Sequence, residues 1–134
     1  MSQENVEVMR RSNDAFNRGD LAGACTDFHP DVEYRDLQHP PDAPETVRGI
    51  SAMLDVLGQW QQAFPDLIAN VDEFIDAGDA VVVVTRWHGK GAGSGIGVDA
   101  LTADVYEFSD GLVIRATVGY ASREVALKAV RLEQ

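Results

Sequence analysis

Apolar residues recur at close to helical spacing near the start of the chain, at Val6, Met9 and Phe16 with Val8 and Ala15 beside them. Residues 1–30 therefore read as helical, interrupted by Asn17-Arg18-Gly19-Asp20. Gly19 suits the end of one helix and Asp20 the N-cap of a second, which carries Leu21, Ala24, Cys25 and Phe28. His29-Pro30-Asp31 stops it. Val32–Asp36 alternates with period 2, so Val32, Tyr34 and Asp36 share one strand face. A carboxylate is thereby placed in phase with the apolar side. Residues 37–48 hold Pro40, Pro41 and Pro44 and read as an irregular loop. Residues 49–64 give the clearest helix, with a stripe of Ile50, Met53, Leu54, Leu57, Trp60 and Phe64. Ser51 is its candidate N-cap, and Pro65 ends it.

Beyond Pro65 the period changes to 2. Leu67–Ile75, Ala80–His88, Val98–Phe108 and Leu112–Tyr120 read as strands. The signals Ala77-Gly78-Asp79 and Ser109-Asp110-Gly111 turn two hairpins, and the four glycines of Lys90–Gly97 mark a third connection. That glycine run lacks the strand–loop–helix setting of a phosphate-binding loop. Val81–Val84 is apolar on both sides, as in a central strand. Thr102, Asp104, Tyr106 and Phe108 fall on one face of the third long strand. Arg123–Arg131 closes the chain as a short helix. Strands grouped after helices and joined by hairpins predict a single α+β domain over residues 1–134 with a mostly antiparallel sheet. If that sheet bends strongly around the helices, it leaves a concave interior suited to a small molecule.

Composition narrows the functions. The chain has 134 residues and a formal charge of −11, which opposes nucleic acid and anionic membrane surfaces alike. Its one cysteine, Cys25, excludes an internal disulfide and a cysteine-built zinc site. There is neither a basic-then-apolar leader nor an apolar run of ~18 residues, so a cytoplasmic protein is expected. His29, His39 and His88 lack metal-ligand spacing, and no cofactor is expected.

The strings Ala15-Phe16-Asn17-Arg18-Gly19-Asp20-Leu21, Pro30-Asp31-Val32-Glu33, Val47-Arg48-Gly49, Ala63-Phe64-Pro65-Asp66, Ala77-Gly78-Asp79 and Asp110-Gly111-Leu112-Val113, in this element order, resemble the SnoaL-like (polyketide cyclase-like) families of the nuclear-transport-factor-2-like superfamily. The resemblance spans nearly the whole chain. It implies a cone-shaped α+β barrel, a strongly bent sheet wrapped by three helices of the N-terminal half, with an interior pocket. The strings are turns, caps and helix faces, so they speak for the fold more than for the chemistry. The superfamily holds isomerases, cyclases, dehydratases, epoxide hydrolases and non-catalytic binding modules.

Asp36 and Asp104 are the candidate catalytic residues. Each shares a face with apolar residues, where a carboxyl is either desolvated or hydrogen-bonded, and two such groups can divide the roles of base and hydrogen-bond donor. By resemblance to the superfamily's steroid isomerases, Asp36 falls at the proton-abstracting aspartate and Asp104 at the oxyanion-side aspartate. Ser12 stands where the oxyanion tyrosine would be, which argues against a steroid isomerase and leaves Tyr34, Tyr106 or Tyr120 to supply a hydroxyl. A purely structural alternative has Asp36 capping the following loop and Asp104 paired with an arginine. The superfamily's epoxide hydrolases use an Asp-Arg-Asp set. Arg86 is present here, but His88 and Val118 replace the carboxylates, so that activity is not expected.

Tyr34, Met53, Trp60, Trp87, Tyr106, Phe108 and Tyr120 are the expected lining of an apolar pocket, with His39 at its mouth. Strand parity leaves two options, Thr85 and Trp87 inward or Arg86 and His88 inward. The first is favoured, because a buried Arg86 would need a carboxylate partner. The expected partners are a small hydrophobic ligand and a second copy of the chain. The homodimer follows from apolar residues on both sheet faces, with Val81–Val84, Val105 and Val113 as candidates. Two functions remain: an acid/base enzyme acting on a hydrophobic carbonyl compound (isomerase, cyclase or dehydratase), or a binding or structural module. A cavity of ~300 Å³ or more reached by both aspartates favours a ligand site, and a cone packed solid favours the structural one.

Overall fold

The structure, a computed structural model, describes residues 2–39, 41–90 and 97–133, without the side chains of residues 2, 97, 98, 132 and 133. Its elements are α1 (Ser2–Asn17), α2 (Leu21–Ala24), β1 (Phe28–Asp36), β2 (Thr46–Arg48), α3 (Ile50–Ala63), β3 (Ile68–Asp76), β4 (Ala80–Lys90), β5 (Gly97–Ser109), β6 (Leu112–Tyr120) and α4 (Arg123–Glu133). The six strands form one curved sheet in the order β2-β1-β6-β5-β4-β3. Among the described residues only the β1–β6 pair is parallel. The sheet is a cone that does not close, since β2 and β3 remain as its edges.

The break after α1 forms as its residues dictate. Gly19 takes a positive φ of 80°, and the Asp20 side chain accepts from the Gly23 backbone N–H. The second helix is a single turn, and Phe28 already belongs to β1, as does His29. Ser51 is not the cap of α3. The helix begins directly after Gly49, whose φ of 93° turns the chain and whose N–H is held by the Val32 carbonyl. β2 lies in the stretch that reads as a loop. Three residues after a proline-rich run carry no periodic signal, yet they pair with Glu33–Arg35. The glycine run expected as a hairpin loop falls, over 91–96, outside the described residues.

Asparagines fasten α1 to the sheet. Asn17 accepts from the Ala69 N–H and donates to its carbonyl, both at 2.9 Å, and Asn13 donates to the same carbonyl at 3.2 Å. These bonds draw β3 over the helix and help close one wall of the cone.

The sheet is apolar on both faces, as Val81–Val84 implies. Val81, Val83, Tyr34, Phe28 and Val113 pack inward with Met9 and Met53. Val82, Val84, Ala103 and Val105 face outward, where Ala126 and Val130 of α4 cover them. These positions correct the expected dimer face in two respects. Val81, Val83 and Val113 point inward, and the outward valines are covered within the chain, so these residues give no reason for a twofold partner. No helix among the described residues is long and apolar enough to cross a membrane.

Candidate functional site

Inside the cone lies a cavity of about 360 Å³ walled by α1, α3 and the concave face of the sheet. Tyr34, Asp36, Met53, Trp60, Trp87, Asp104 and Tyr106 line it together, as their strand and helix phases require. Trp87 points inward, where its Nε1–H donates to Thr102 Oγ1 at 2.8 Å and its ring meets Phe16 edge-on. Arg86 and His88 point outward, with Asp72 and Asp99 as their acidic neighbours.

Three expected lining residues sit elsewhere. Tyr120 packs on the outer apolar face beside α4. The cause is a bulge: Ala103 pairs with Tyr120 but Val105 pairs with Thr117, so Val118 and Gly119 together oppose Asp104. One extra residue reverses the side-chain alternation beyond it. Phe108 belongs to the packed core with Val113 and does not line the cavity. A second register shift, between Glu107 and Phe108, separates it from the cavity-facing run. His39 lines a smaller chamber of about 120 Å³ behind Asp36. Its Nδ1 lies 3.0 Å from the Ala43 carbonyl.

The bulge that displaces Tyr120 also creates the setting of Asp104. Gly119 adopts a φ of 91° and its backbone N–H donates to Asp104 Oδ1 at 2.8 Å. That is the carboxyl's one protein hydrogen bond among the described residues, and no arginine pairs with it. Burial pushes the Asp104 carboxyl up to about 7; the Gly119 bond opposes this, and the charge of Asp36 adds to it.

Asp36, two strands away on β1, is also buried. Its Oδ1 accepts from the Gln38 backbone N–H at 2.8 Å, and its Oδ2 accepts from the Trp60 indole Nε1–H at 3.1 Å. The expected loop cap is therefore real, but it uses one oxygen only. Tyr34 and Tyr106 complete the polar group. No protein hydrogen bond engages either hydroxyl among the described residues. Both phenols are pushed well above 10, first by burial and then by nearby negative charge, Asp36 for Tyr34 and Asp104 for both. They stay protonated and able to donate.

Sequence reasoning missed Gly119, although a glycine inside a strand is the usual sign of a bulge. It also missed the bond from Trp60 to Asp36, which joins positions 24 residues apart. Ser12, at the place of the superfamily's oxyanion tyrosine, is committed to the Ala24 carbonyl at 2.7 Å. Cys25 is a buried part of the cavity wall, and burial pushes its thiol up to about 11. Among the described residues no cluster of His, Cys, Asp and Glu could hold a metal ion.

The SnoaL-like domain model matches residues 9–116, most of the chain. The protein belongs to the SnoaL-like domain family. Solved structures agree on the fold. An NTF2-like protein of unknown function from Burkholderia pseudomallei superposes with a TM-score of 0.79 at 21% identity, covering 92% of this chain and 95% of that one. A candidate SnoaL-like polyketide cyclase from Jannaschia sp. gives 0.78 at 22%, covering 96% and 91%. TerC, co-crystallised with polyporic acid, gives 0.75 at 22%, covering 98% and 99%. No curated protein matches the sequence at a significant level.

Proposed function

We propose that this SnoaL-like protein is a cofactor-independent acid/base enzyme of the isomerase, cyclase or dehydratase type, acting on a hydrophobic carbonyl compound bound in the cone. The observation that carries the reading is that Asp36, with both oxygens hydrogen-bonded, and Asp104, with a single hydrogen bond and a carboxyl raised to about 7, face the same apolar cavity. Two carboxyls in such different settings can divide the roles of base and hydrogen-bond donor.

Asp36 takes a proton from the carbon beside the carbonyl. The electron pair left behind moves onto the carbonyl oxygen. Protonated Asp104, with the Tyr34 or Tyr106 hydroxyl, donates hydrogen bonds to that developing oxyanion in the apolar cavity. Asp36 then returns the proton to a different carbon, or the enolate closes a ring or expels a leaving group. Ser12 takes no part, because its hydroxyl is occupied.

The test works before the natural substrate is identified. A panel of apolar aromatic and alicyclic ketones is incubated with the protein in D₂O, and deuterium uptake beside the carbonyl is read by mass spectrometry. Wild type should accelerate uptake for some members, and Asp36→Asn should lose about 10²–10⁴-fold of that rate. Equal acceleration by both folded proteins removes Asp36 from the chemistry, and no acceleration by wild type over the protein-free rate leaves a binding module.

A further inference from the structure

The chamber behind Asp36 has no part in the proton transfer at the main cavity. It occupies about 120 Å³ between α3 and the segment that runs from β1 to β2. Tyr34, Asp36 and Trp60 are common to its wall and to that of the main cavity. The two spaces therefore lie back to back, with the Trp60 indole and the Asp36 carboxyl between them. Its remaining walls are largely apolar, including Val47, Val56, Ala63 and Pro44, with Glu45, Gln59 and His39 as polar members. Such a lining suits hydrocarbon better than a charged or strongly hydrated group.

We propose that this chamber is a second subsite, which takes a short alkyl arm of the ligand whose ring system fills the main cavity, with Trp60 as the partition that sets arm length. The inference rests on the reading of the main cavity as a ligand site. It adds a shape to the substrate: the arm stands next to the oxygen-bearing carbon, because the chamber adjoins Asp36. The volume admits an arm of a few carbons.

The probes are 2-naphthol and 1-propyl-2-naphthol, titrated calorimetrically. Wild type should bind the propyl compound about tenfold more tightly, as expected for partial burial of three carbons. Ala63→Phe fills the chamber from the exposed end of α3; it should abolish that difference and leave 2-naphthol affinity within about twofold. Trp60→Ala removes the partition and should widen the preference for the propyl compound. If wild type binds both probes alike and Ala63→Phe changes nothing, the chamber is not a subsite while the cavity reading stands. If wild type binds neither probe, the cavity reading fails and takes the subsite with it.

Discussion

The backbone N–H of Gly119 donates to Asp104 Oδ1 at 2.8 Å, across a bulge that gives β6 one residue more than β5 at this point. A regular strand would spend that N–H on its neighbour. The bulge frees it for the carboxyl, so the same irregularity both shapes the cone and tunes its acid.

Gly119→Ala tests this relationship. At a φ of 91° a side chain is strained, and its Cβ would stand 2.8 Å from Gln38 Cγ. Gln38 is tethered there, by its Nε2 on the Gly119 carbonyl and its N–H on Asp36 Oδ1, so the contact adds to the backbone strain. A loss of about 1–3 kcal/mol in urea unfolding is expected. Loosening the N–H should also raise the Asp104 carboxyl further, which ¹³C NMR of the labelled side chain would report. Wild-type stability with an unchanged titration would show that the bulge does not depend on glycine.

The buried carboxyl of Asp104 should leave its mark on stability against pH. In the unfolded chain it titrates near 3.8 and in the folded protein near 7. Between these values the folded state keeps a proton that the unfolded state has released. Stability from this group is therefore full below about pH 4, falls as pH rises toward 7, and is flat above. Asp104→Asn cannot ionise and can still accept from Gly119. Relative to wild type it should gain a few kcal/mol between pH 4.5 and pH 8 in paired urea titrations. A difference between the two proteins that does not change with pH would mean that Asp104 is not desolvated as described.

How far the sequence reveals this site follows from strand parity. Tyr34 and Asp36 on one strand, and Asp104 and Tyr106 on another, are two residues apart, so regular alternation puts each pair on one face whatever the neighbours do. Trp60 and Met53 follow from the helical stripe in the same way. Tyr120 does not, because the bulge at Val118 and Gly119 cancels the alternation before the strand reaches it. The outward valines look like a surface awaiting a partner, because periodicity cannot tell that α4 folds back over Val82 and Val105. Partners far apart in sequence, such as Trp60 with Asp36, are set by tertiary packing and leave no local signal.

Asn17 is a residue whose importance lies in fastening rather than chemistry. Its amide satisfies both the N–H and the carbonyl of Ala69, a buried residue on the edge strand β3. Asn17→Ala leaves the N–H without its acceptor, while Asn13 still serves the carbonyl. A cost of about 1–3 kcal/mol is expected. The Ala69 amide should exchange with deuterium faster than the amides of the central strand β4. Unchanged protection at Ala69 would show that β3 is held by its pairing with β4 alone.

The bond from the Trp60 indole to Asp36 can be removed without removing the ring. Trp60→Phe keeps an aromatic side chain on α3 and its stacking against Phe64, which lies 6.2 Å away at 19°, but takes away the donor. Among the described residues the buried Asp36 carboxyl is then left with the Gln38 N–H. Hydrogen bonds to charged groups contribute more than neutral ones, and Trp60→Phe should cost about 1.5–3 kcal/mol. The bond's own share comes from a double-mutant cycle with Asp36→Asn, whose amide carries less charge to be held. A coupling energy of about 1 kcal/mol or more is expected, since the two groups are in direct contact. Additive losses would mean that Trp60 supports the site through its ring and contributes nothing through its N–H.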